Sequence, residues 1–347
     1  MSTIKVNRLE NTSTANGGID IDTDGHVQFD GLQMPTAGPL SNRNLIMNGA
    51  MAVSQKSTAT GLTNGDGNTY VVDRFGFMES GSPSYQFTYS QDTDVPAGQG
   101  FANSLKFLCT TADTSLSSNE RLRIRQGFEG QDLQQIKKGT ANAETLILSF
   151  WVKTNLSGDI SVVMEDADNS RVISKNANIA ADEVNTWVYK TIEFPGDTSG
   201  PLDNDNGGSI YLEWYVRVGS NYTSGTQATT WAADNSDNKA STNNIDLGSA
   251  VNNYINLTGV QLEVGSKATP FEHESYGQTL LKCYRYCEIW HNVDSYYQSP
   301  GAGYNNYYRA RLDFKVPKRA TPSVSTYGTG NYPNNSGQVD TDGVGND

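Results

Sequence analysis

Residues Ile255–Glu272, INLTGVQLEVGSKATPFE, leave few folds open. From Leu257 to Val264 apolar and polar residues alternate, with Val260, Leu262 and Val264 on one side, the period of a half-buried strand. Gly265-Ser266 then gives a turn signal. Pro270 has no N–H to offer a ladder, so a central strand cannot continue through it. The run reads as the last strand of a β-sandwich followed by the exit from it.

The chain before it carries the same signature. Between residues 56 and 270 short strand patterns recur with turn signals between them, the spacing of an all-β sandwich. The candidates are Tyr85–Ser90, Ser104–Thr110, Arg121–Gly127, Thr145–Thr154, Ile160–Glu165, Trp187–Phe194, Ile210–Val218 and Asn256–Val264. Two alternate cleanly. Leu146, Leu148, Phe150 and Val152 share one side of theirs, as do Ile210, Leu212, Trp214 and Val216, and these sets are expected to form the core, with Trp187 added to it. Leu45, Ile46 and Met47 read as core residues, Asn48-Gly49 as a turn and Val71–Met78 as an early strand. Asp73 and Arg74 are adjacent, so on a strand they face opposite ways, and a structural pairing for one of them is favoured over catalysis.

The 347 residues suffice for two or three domains. With 36% hydrophobic and 18% charged residues, 34 Gly and 18 Tyr, the chain suits many strands and turns better than long helices. Its net charge of −13 argues against bulk nucleic-acid binding, which needs clustered Lys and Arg, and against anionic membranes. No apolar run is long enough to cross a bilayer. MSTIKVNRLE lacks the apolar core of a signal peptide, so synthesis in a cytoplasm without secretion is expected. Cys109, Cys283 and Cys287 make no disulfide framework and read as free thiols.

The two ends differ from the middle. In residues 1–40 Ile4, Val6 and Leu9 precede a Thr/Ser/Asn/Gly run; Ile19 and Ile21 then alternate with Asp20 and Asp22, Asp24-Gly25 marks a hairpin turn, and Val27 and Phe29 resume the alternation. A hairpin with so few apolar residues does not stand alone and should be completed by a partner chain or by copies of itself. Asp20-x-Asp22-x-Asp24-Gly25 touches the calcium-loop pattern, but Gly31 holds the position where a Glu is needed, and a turn is the favoured reading. Near the other end Ser275–Arg285 predicts a helix, with Glu274 or Ser275 as cap and Leu280, Leu281 and Tyr284 covering one side. Tyr286–Val293 reads as a strand.

Four segments resemble bacteriophage tail-fibre and related virion proteins. TGVQLEVGSKATPFE followed by SYGQTLLKCYRYCE is similar to a run that, in that family, closes a jelly roll like those of carbohydrate-binding modules and leads into a C-terminal module. NRNLIMNGAMAVSQ, followed by VDRF, resembles the run that opens the jelly roll. IKVNRLEN with DGHVQFDG resembles the particle-attachment ends of phage fibres, and LKCYRYCE with LDFKVPKRATPSVS resembles the C-terminal module. In the family that module runs on past the equivalent of Tyr327. Here a Gly/Asn/Asp-rich run ending VGND follows, as in a short member or an incomplete chain.

The resemblance and the patterns together imply an all-β chain. An extended N-terminal strand or hairpin anchor occupies 1–40, a jelly-roll sandwich 41–272, and a small β-rich module with one short helix 273–347. The function expected is that of a phage tail fibre, a structural virion protein and homotrimer assembled in the host cytoplasm. It would attach to tail or other virion proteins through Ile4, Val6, Leu9, Ile19, Ile21, Val27 and Phe29, and would recognise a host-surface glycan. The alternative is a capsid decoration or head fibre without a receptor role; a glycan-degrading tailspike and a free carbohydrate-binding protein rank below both.

No catalytic, metal or cofactor site is expected. His26, His273 and His291 are the only histidines, no Ser or Cys has the neighbours that activation requires, and no Cys/His spacing suits zinc. Long loops on a rigid sandwich are where binding tends to reside, here 196–208 and 220–244. Tyr222 and Trp231 in the second loop, and Tyr296, Tyr297, Tyr304, Tyr307 and Tyr308 near the C-terminus, are the candidate sugar-binding rings. The competing reading of Trp231 is that it pins its loop to the sandwich.

Overall fold

The computed structural model describes residues 8–10, 18–21, 27–29, 32–33, 41–63, 65–290, 296–298, 307–309 and 313–323. They form two units, Met1–Cys283 and Tyr284–Asp347.

The first unit opens with a small antiparallel sheet of β1 (Arg8–Glu10), β2 (Gly18–Ile21), β3 (Val27–Phe29) and β4 (Leu32–Gln33), in that order. Ile19 faces Phe29 and Ile21 faces Val27 across β2 and β3, one residue off the register that a two-residue turn at Asp24-Gly25 would set, and the turn itself falls outside the described residues.

The sandwich follows. Its strands are β5 (Ala59–Leu62), β6 (Thr69–Tyr70), β7 (Gly76–Ser80), β8 (Gln86–Asp92), β9 (Ser104–Thr111), β10 (Arg121–Glu129), β11 (Leu146–Thr154), β12 (Gly158–Asp166), β13 (Arg171–Ile179), β14 (Val188–Phe194), β15 (Gly208–Val218), β16 (Ala232–Ala233) and β17 (Tyr254–Val264). One sheet has the order β16-β13-β12-β15-β10-β7-β6 and the other β14-β11-β17-β9-β8-β5, all antiparallel. The core between them takes the expected alternating sets, Leu146 to Val152 from β11 and Ile210 to Val216 from β15, with Phe75, Phe77, Phe107, Phe150 and Trp214 among its fully buried rings.

β17 departs from simple alternation. Ile255 and Leu257 face the core, and so do Val260, Leu262 and Val264. The parity changes at Gly259, whose φ is +61°, where the register against β11 shifts between Ser149 and Trp151. This is a β-bulge on a glycine in the left-handed region, which lets an odd and an even set both point inward.

The two ends of the sandwich are tied together at β17. Beside its second half, where β9 has already left the ladder, the 44–49 segment takes β9's place. Leu45 N–H donates to Leu262 O at 2.8 Å and Val260 N–H to Gly49 O at 2.9 Å. Asn44 accepts from Leu262 N–H and donates to Val260 O. Asn48 and Asp73 fold the next stretch over: Asn48 Nδ2 donates to Val53 O and Asp73 O, and Asp73 accepts from Gln55 N–H. The structural pairing expected within Asp73-Arg74 is therefore that of Asp73 with Gln55. Burial raises the Asp73 carboxyl pKa despite those bonds.

Several expectations are corrected. Residues 71–75 are a turn between β6 and β7 rather than strand, because the Asn48 and Tyr89 side chains bind the backbone there. Trp187 lies outside the core and its indole donates to Asp94 at 2.9 Å. The helix α1 (Tyr276–Tyr284) starts where expected, with Ser275 and Gln278 forming a capping box, but it buries Thr279 and Cys283 while Leu281 is exposed. Residues 286–290 are not strand.

In the second unit the Glu288 side chain is shielded from solvent and held by Lys318 at 2.6 Å, whose ammonium also lies over the Phe314 ring. Strands β18 (Tyr296–Gln298) and β19 (Tyr307–Arg309) pair antiparallel, with Tyr297 opposite Tyr308.

Candidate carbohydrate-binding face

The outer side of the seven-stranded sheet carries a row of arginines interleaved with tyrosines. It is built by alternation. On β10, Leu122 and Ile124 point into the core, so Arg121, Arg123 and Arg125 must point out. On β15 the inward set Leu212, Trp214 and Val216 likewise sends Tyr211, Glu213 and Tyr215 outward. The antiparallel register sets Arg123 opposite Tyr215, Arg125 opposite Glu213 and Gly127 opposite Tyr211.

Each arginine has a tyrosine. The Arg121 guanidinium lies 4.7 Å from the Tyr222 ring centre, Arg123 5.8 Å from Tyr215 and Arg125 4.5 Å from Tyr211, distances at which a cation is attracted to a ring face. Gly127 leaves the space that Tyr211 needs: a Cβ there would stand 3.0 Å from the ring. Glu213 sits among the guanidiniums, fully buried, with Arg123 Nη1 at 2.8 Å and Arg125 Nε at 2.5 Å. Burial alone would raise the Glu213 carboxyl, but Arg123 and Arg125 outweigh it and hold it below the usual range. Burial pushes the Tyr215 hydroxyl well above its ordinary value, so it stays a neutral donor.

The loop 220–244 covers one margin of this face. Tyr222, Ala228 and Ala240 pack on Val163, Val172, Tyr215 and Val218, a small second core on the outer side of the sheet. Asn244 and Ser241 bind β12 through Ser161. Arg121, Arg125, Tyr211 and Tyr222 remain partly exposed beside this cover. Neutral and cationic hydrogen-bond donors next to half-exposed rings can bind hydroxyl and anionic groups of a flat polar ligand.

The two rings expected in that loop part company. Tyr222 joins the arginine stripe. Trp231 lies elsewhere, its Nε1 donating to Pro195 O at 2.8 Å and its ring 5.4 Å from the Lys138 ammonium. Lys138 is itself held by Asp197 at 3.1 Å and by the Ser199 and Gly200 carbonyls. An open recess of about 420 Å³ near Lys138, lined by Leu133, Gln134, Lys137, Thr140, Pro201 and Leu202, carries no aromatic ring.

The C-terminal candidates Tyr296, Tyr297, Tyr307 and Tyr308 lie on the β18–β19 pair, and Tyr304 falls outside the described residues. Of the attachment residues, Leu9, Ile21 and Val27 are exposed and Ile19 is half-buried; Phe29 is on β3, and Ile4 and Val6 fall outside the described residues.

Sequence reasoning missed Arg121, Arg123, Arg125 and Tyr211. The signal was present: RLRIR repeats arginine at the strand period in an acidic chain. The opposite sheet also carries rings on its outer side, with Trp151 5.3 Å from the exposed Tyr189 and Phe101 5.0 Å from Phe271. Among the described residues no group of three or more His, Cys, Asp or Glu side chains is placed to hold a metal ion, and no helix is long and apolar enough to cross a membrane.

No protein-family model matches the chain, and no curated protein matches it. Solved structures do. The bacteriophage CBA120 tailspike protein 4 enzymatically active domain aligns at 11% identity and a TM-score of 0.35, over 64% of this chain and 21% of that one. The family 11 carbohydrate-binding module of a Clostridium thermocellum cellulosomal cellulase aligns at 12% identity and 0.28, over 63% of this chain and all of the module (100%). TmCBM61, solved with β-1,4-galactotriose, aligns at 10% identity and 0.30, over 64% of this chain and 99% of the module.

Proposed function

We propose that the chain is a phage fibre-type virion protein whose sandwich binds a host-surface glycan without cleaving it. The observation that carries the glycan part is the ladder of Arg121–Tyr222, Arg123–Tyr215 and Arg125–Tyr211 on one outer sheet face. Rings supply flat apolar area and guanidiniums supply directed donors, the two things a sugar needs from a shallow site. The fibre part rests on the resemblance of 41–78 and 255–272 to phage fibre proteins. The clasp between Leu45–Gly49 and Val260–Leu262 gives those two runs a shared structural task. In this reading residues 1–40 attach the protein to the tail and join three copies, since Leu9, Ile21 and Val27 are exposed in one chain and need cover.

The test has two arms. Antibody labelling of phage particles by electron microscopy should place the protein on a fibre; label on the capsid would replace the receptor role with a decoration role. Purified full-length protein should bind host cells, and Tyr211→Ala should reduce that binding at least tenfold without lowering the melting temperature by more than a few degrees. Unchanged cell binding by that variant would sink the assignment of this face. Release of new reducing ends from host polysaccharide would make the protein an enzyme instead.

A further inference from the structure

The arginine stripe has more positive charge than its own fold uses. Across the outer positions of β7, β10 and β15 stand Gly76, Met78, Ser80, Arg121, Arg123, Arg125, Gly127, Tyr211, Glu213 and Tyr215. Three of these are guanidiniums and one, Glu213, is a carboxylate; Glu129, at the end of β10 on the same side, is a second and accepts from Gln131 Nε2 at 2.7 Å. Glu213 is engaged by Arg123 and Arg125. Arg121 donates to Ser80 Oγ at 2.9 Å and reaches Tyr215 Oη at 3.4 Å; it helps to lower the Glu213 carboxyl at longer range, and among the described residues no carboxylate forms a direct ion pair with it. The remaining acids of this face lie under the 220–244 loop with partners of their own. Lys239 holds Glu165 and Asp234, each at 2.9 Å, and Asp159 accepts from Asn178 and Ser241. In a chain of net charge −13, this surplus at a half-exposed aromatic stripe is local and specific.

We propose that this face binds an acidic saccharide, a sugar polymer carrying carboxylates, with Arg121 as the principal anion contact and Arg125 as the second. The inference rests on the glycan-binding reading above and adds the charge class of the ligand. A neutral sugar uses these guanidiniums only as hydrogen-bond donors and leaves their charge unmatched. A carboxylate is matched by the planar fork of arginine through charge-assisted hydrogen bonds. Arg121 is held ready for it, its plane kept on the Tyr222 ring and its Nε on Ser80. Arg121 and Arg125 stand about 13 Å apart at the usual rise of a strand, so an extended polymer lying along β10 meets a cation at both ends of the stripe.

The full chain would be titrated against immobilised polygalacturonate, alginate, hyaluronan and acidic bacterial capsular polymers, each beside its carboxyl-reduced form, with xylan and β-glucan as neutral polymers. The expected result is retention on at least one acidic polymer, weakened tenfold or more by carboxyl reduction and by Arg121→Gln, and falling steadily with added salt. Arg121→Lys should fall between wild type and Arg121→Gln. Arg125→Gln, which leaves Arg123 on Glu213, gives a second reading if the first variant misfolds. Equal binding to native and carboxyl-reduced polymers overturns the acidic preference and leaves the glycan reading standing. So does a loss on Tyr211→Ala with none on Arg121→Gln or Arg125→Gln. Binding to no polymer, acidic or neutral, overturns the glycan reading itself.

Discussion

Glu272 accepts the backbone N–H of Arg43 at 2.8 Å, and the Arg43 guanidinium returns to the same segment, donating to Pro270 O at 2.6 Å. The same carboxylate takes the N–H groups of Asn42 and Asn44 at 2.7 and 3.0 Å. The residues that open the sandwich are thus capped by the residue that leaves it. Gln261 and Glu263 complete the clasp, Gln261 accepting from Glu272 N–H and Glu263 from Thr269 N–H. Replacing Glu272 by Ala would leave three donors short of an acceptor. The expected cost is about 2 kcal/mol, or roughly 4–8 °C in melting temperature for a domain of this size. Glu272→Gln, which keeps one acceptor oxygen, should lose less. Calorimetry of the two variants checks this, and equal losses would show that the acceptor oxygen retained in Gln contributes nothing without the carboxylate's charge.

Gly49 makes the closest approach in the clasp. A Cβ on it would stand 2.0 Å from the Val260 carbonyl oxygen, a backbone atom in the β17 strand that accepts from Asn44 Nδ2 and cannot move without breaking that bond. Gly49→Ala should therefore cost about 2–4 kcal/mol, as overpacking in a filled interior does. Gly277 is the contrast: it lies in α1 with nothing within 4 Å of its would-be Cβ. Gly277→Ala should be neutral or stabilise by roughly 0.5 kcal/mol through helix propensity. A chemical-denaturation series on the two variants gives both signs at once.

Much of the sandwich was legible in the sequence, whereas the clasp, which joins segments over 200 residues apart, was not. Leu146 to Val152 and Ile210 to Val216 alternate without interruption, and their inward faces follow from that alone. β13 escaped notice because RVISKNANI puts Ser174 and Asn176 on an outer side that is covered by a loop, so its polarity looks like that of a connection. The inward Leu257 could not be paired with Val260 by period, since only the left-handed Gly259 reconciles them. The arginines lie in the candidate strand Arg121–Gly127, but the strand period by itself does not say which tyrosines stand beside them. Which ring of the 220–244 loop would reach it depends on how that loop folds back on Val163 and Tyr215, and no local pattern encodes that.

The acid limb of the stability curve should be set by carboxylates such as Asp197. Burial would raise its pKa, but hydrogen bonds from Arg171 at 2.7 Å, from Ser199 and from Lys138 hold it below the ordinary value. A depressed carboxyl contributes stability above its unfolded value near 4, and that stability is lost as pH falls through the folded value. Asp73 has the opposite sign. Burial raises it, so its contribution is full below the unfolded value and is lost as pH rises through the folded one. Asp197→Asn should cost several degrees at pH 7 and progressively less below about pH 4. The penalty of Asp73→Asn should instead be larger in acid than at pH 7. Melting curves of both variants from pH 3 to 8 would show the two trends crossing, and parallel trends would refute the assignment.

Removing residues 1–40 separates fold from assembly. Among the described residues the buried core begins at Ile46, and the clasp that closes the sandwich begins at Asn42. No described residue before 41 belongs to the core of the sandwich, and the truncated chain should melt within about 2 °C of the sandwich transition of the full chain. The strands β1 to β4 expose Leu9, Ile21 and Val27, with relative exposures of 57%, 43% and 38%, and a small sheet with its apolar residues in water is not stable by itself. If those residues are covered by sister chains, light scattering should give a trimer for the full chain and a monomer for the truncated one. A full-length monomer with residues 1–40 resistant to protease would remove the assembly role. A trimer that survives the deletion would move that role to another part of the chain.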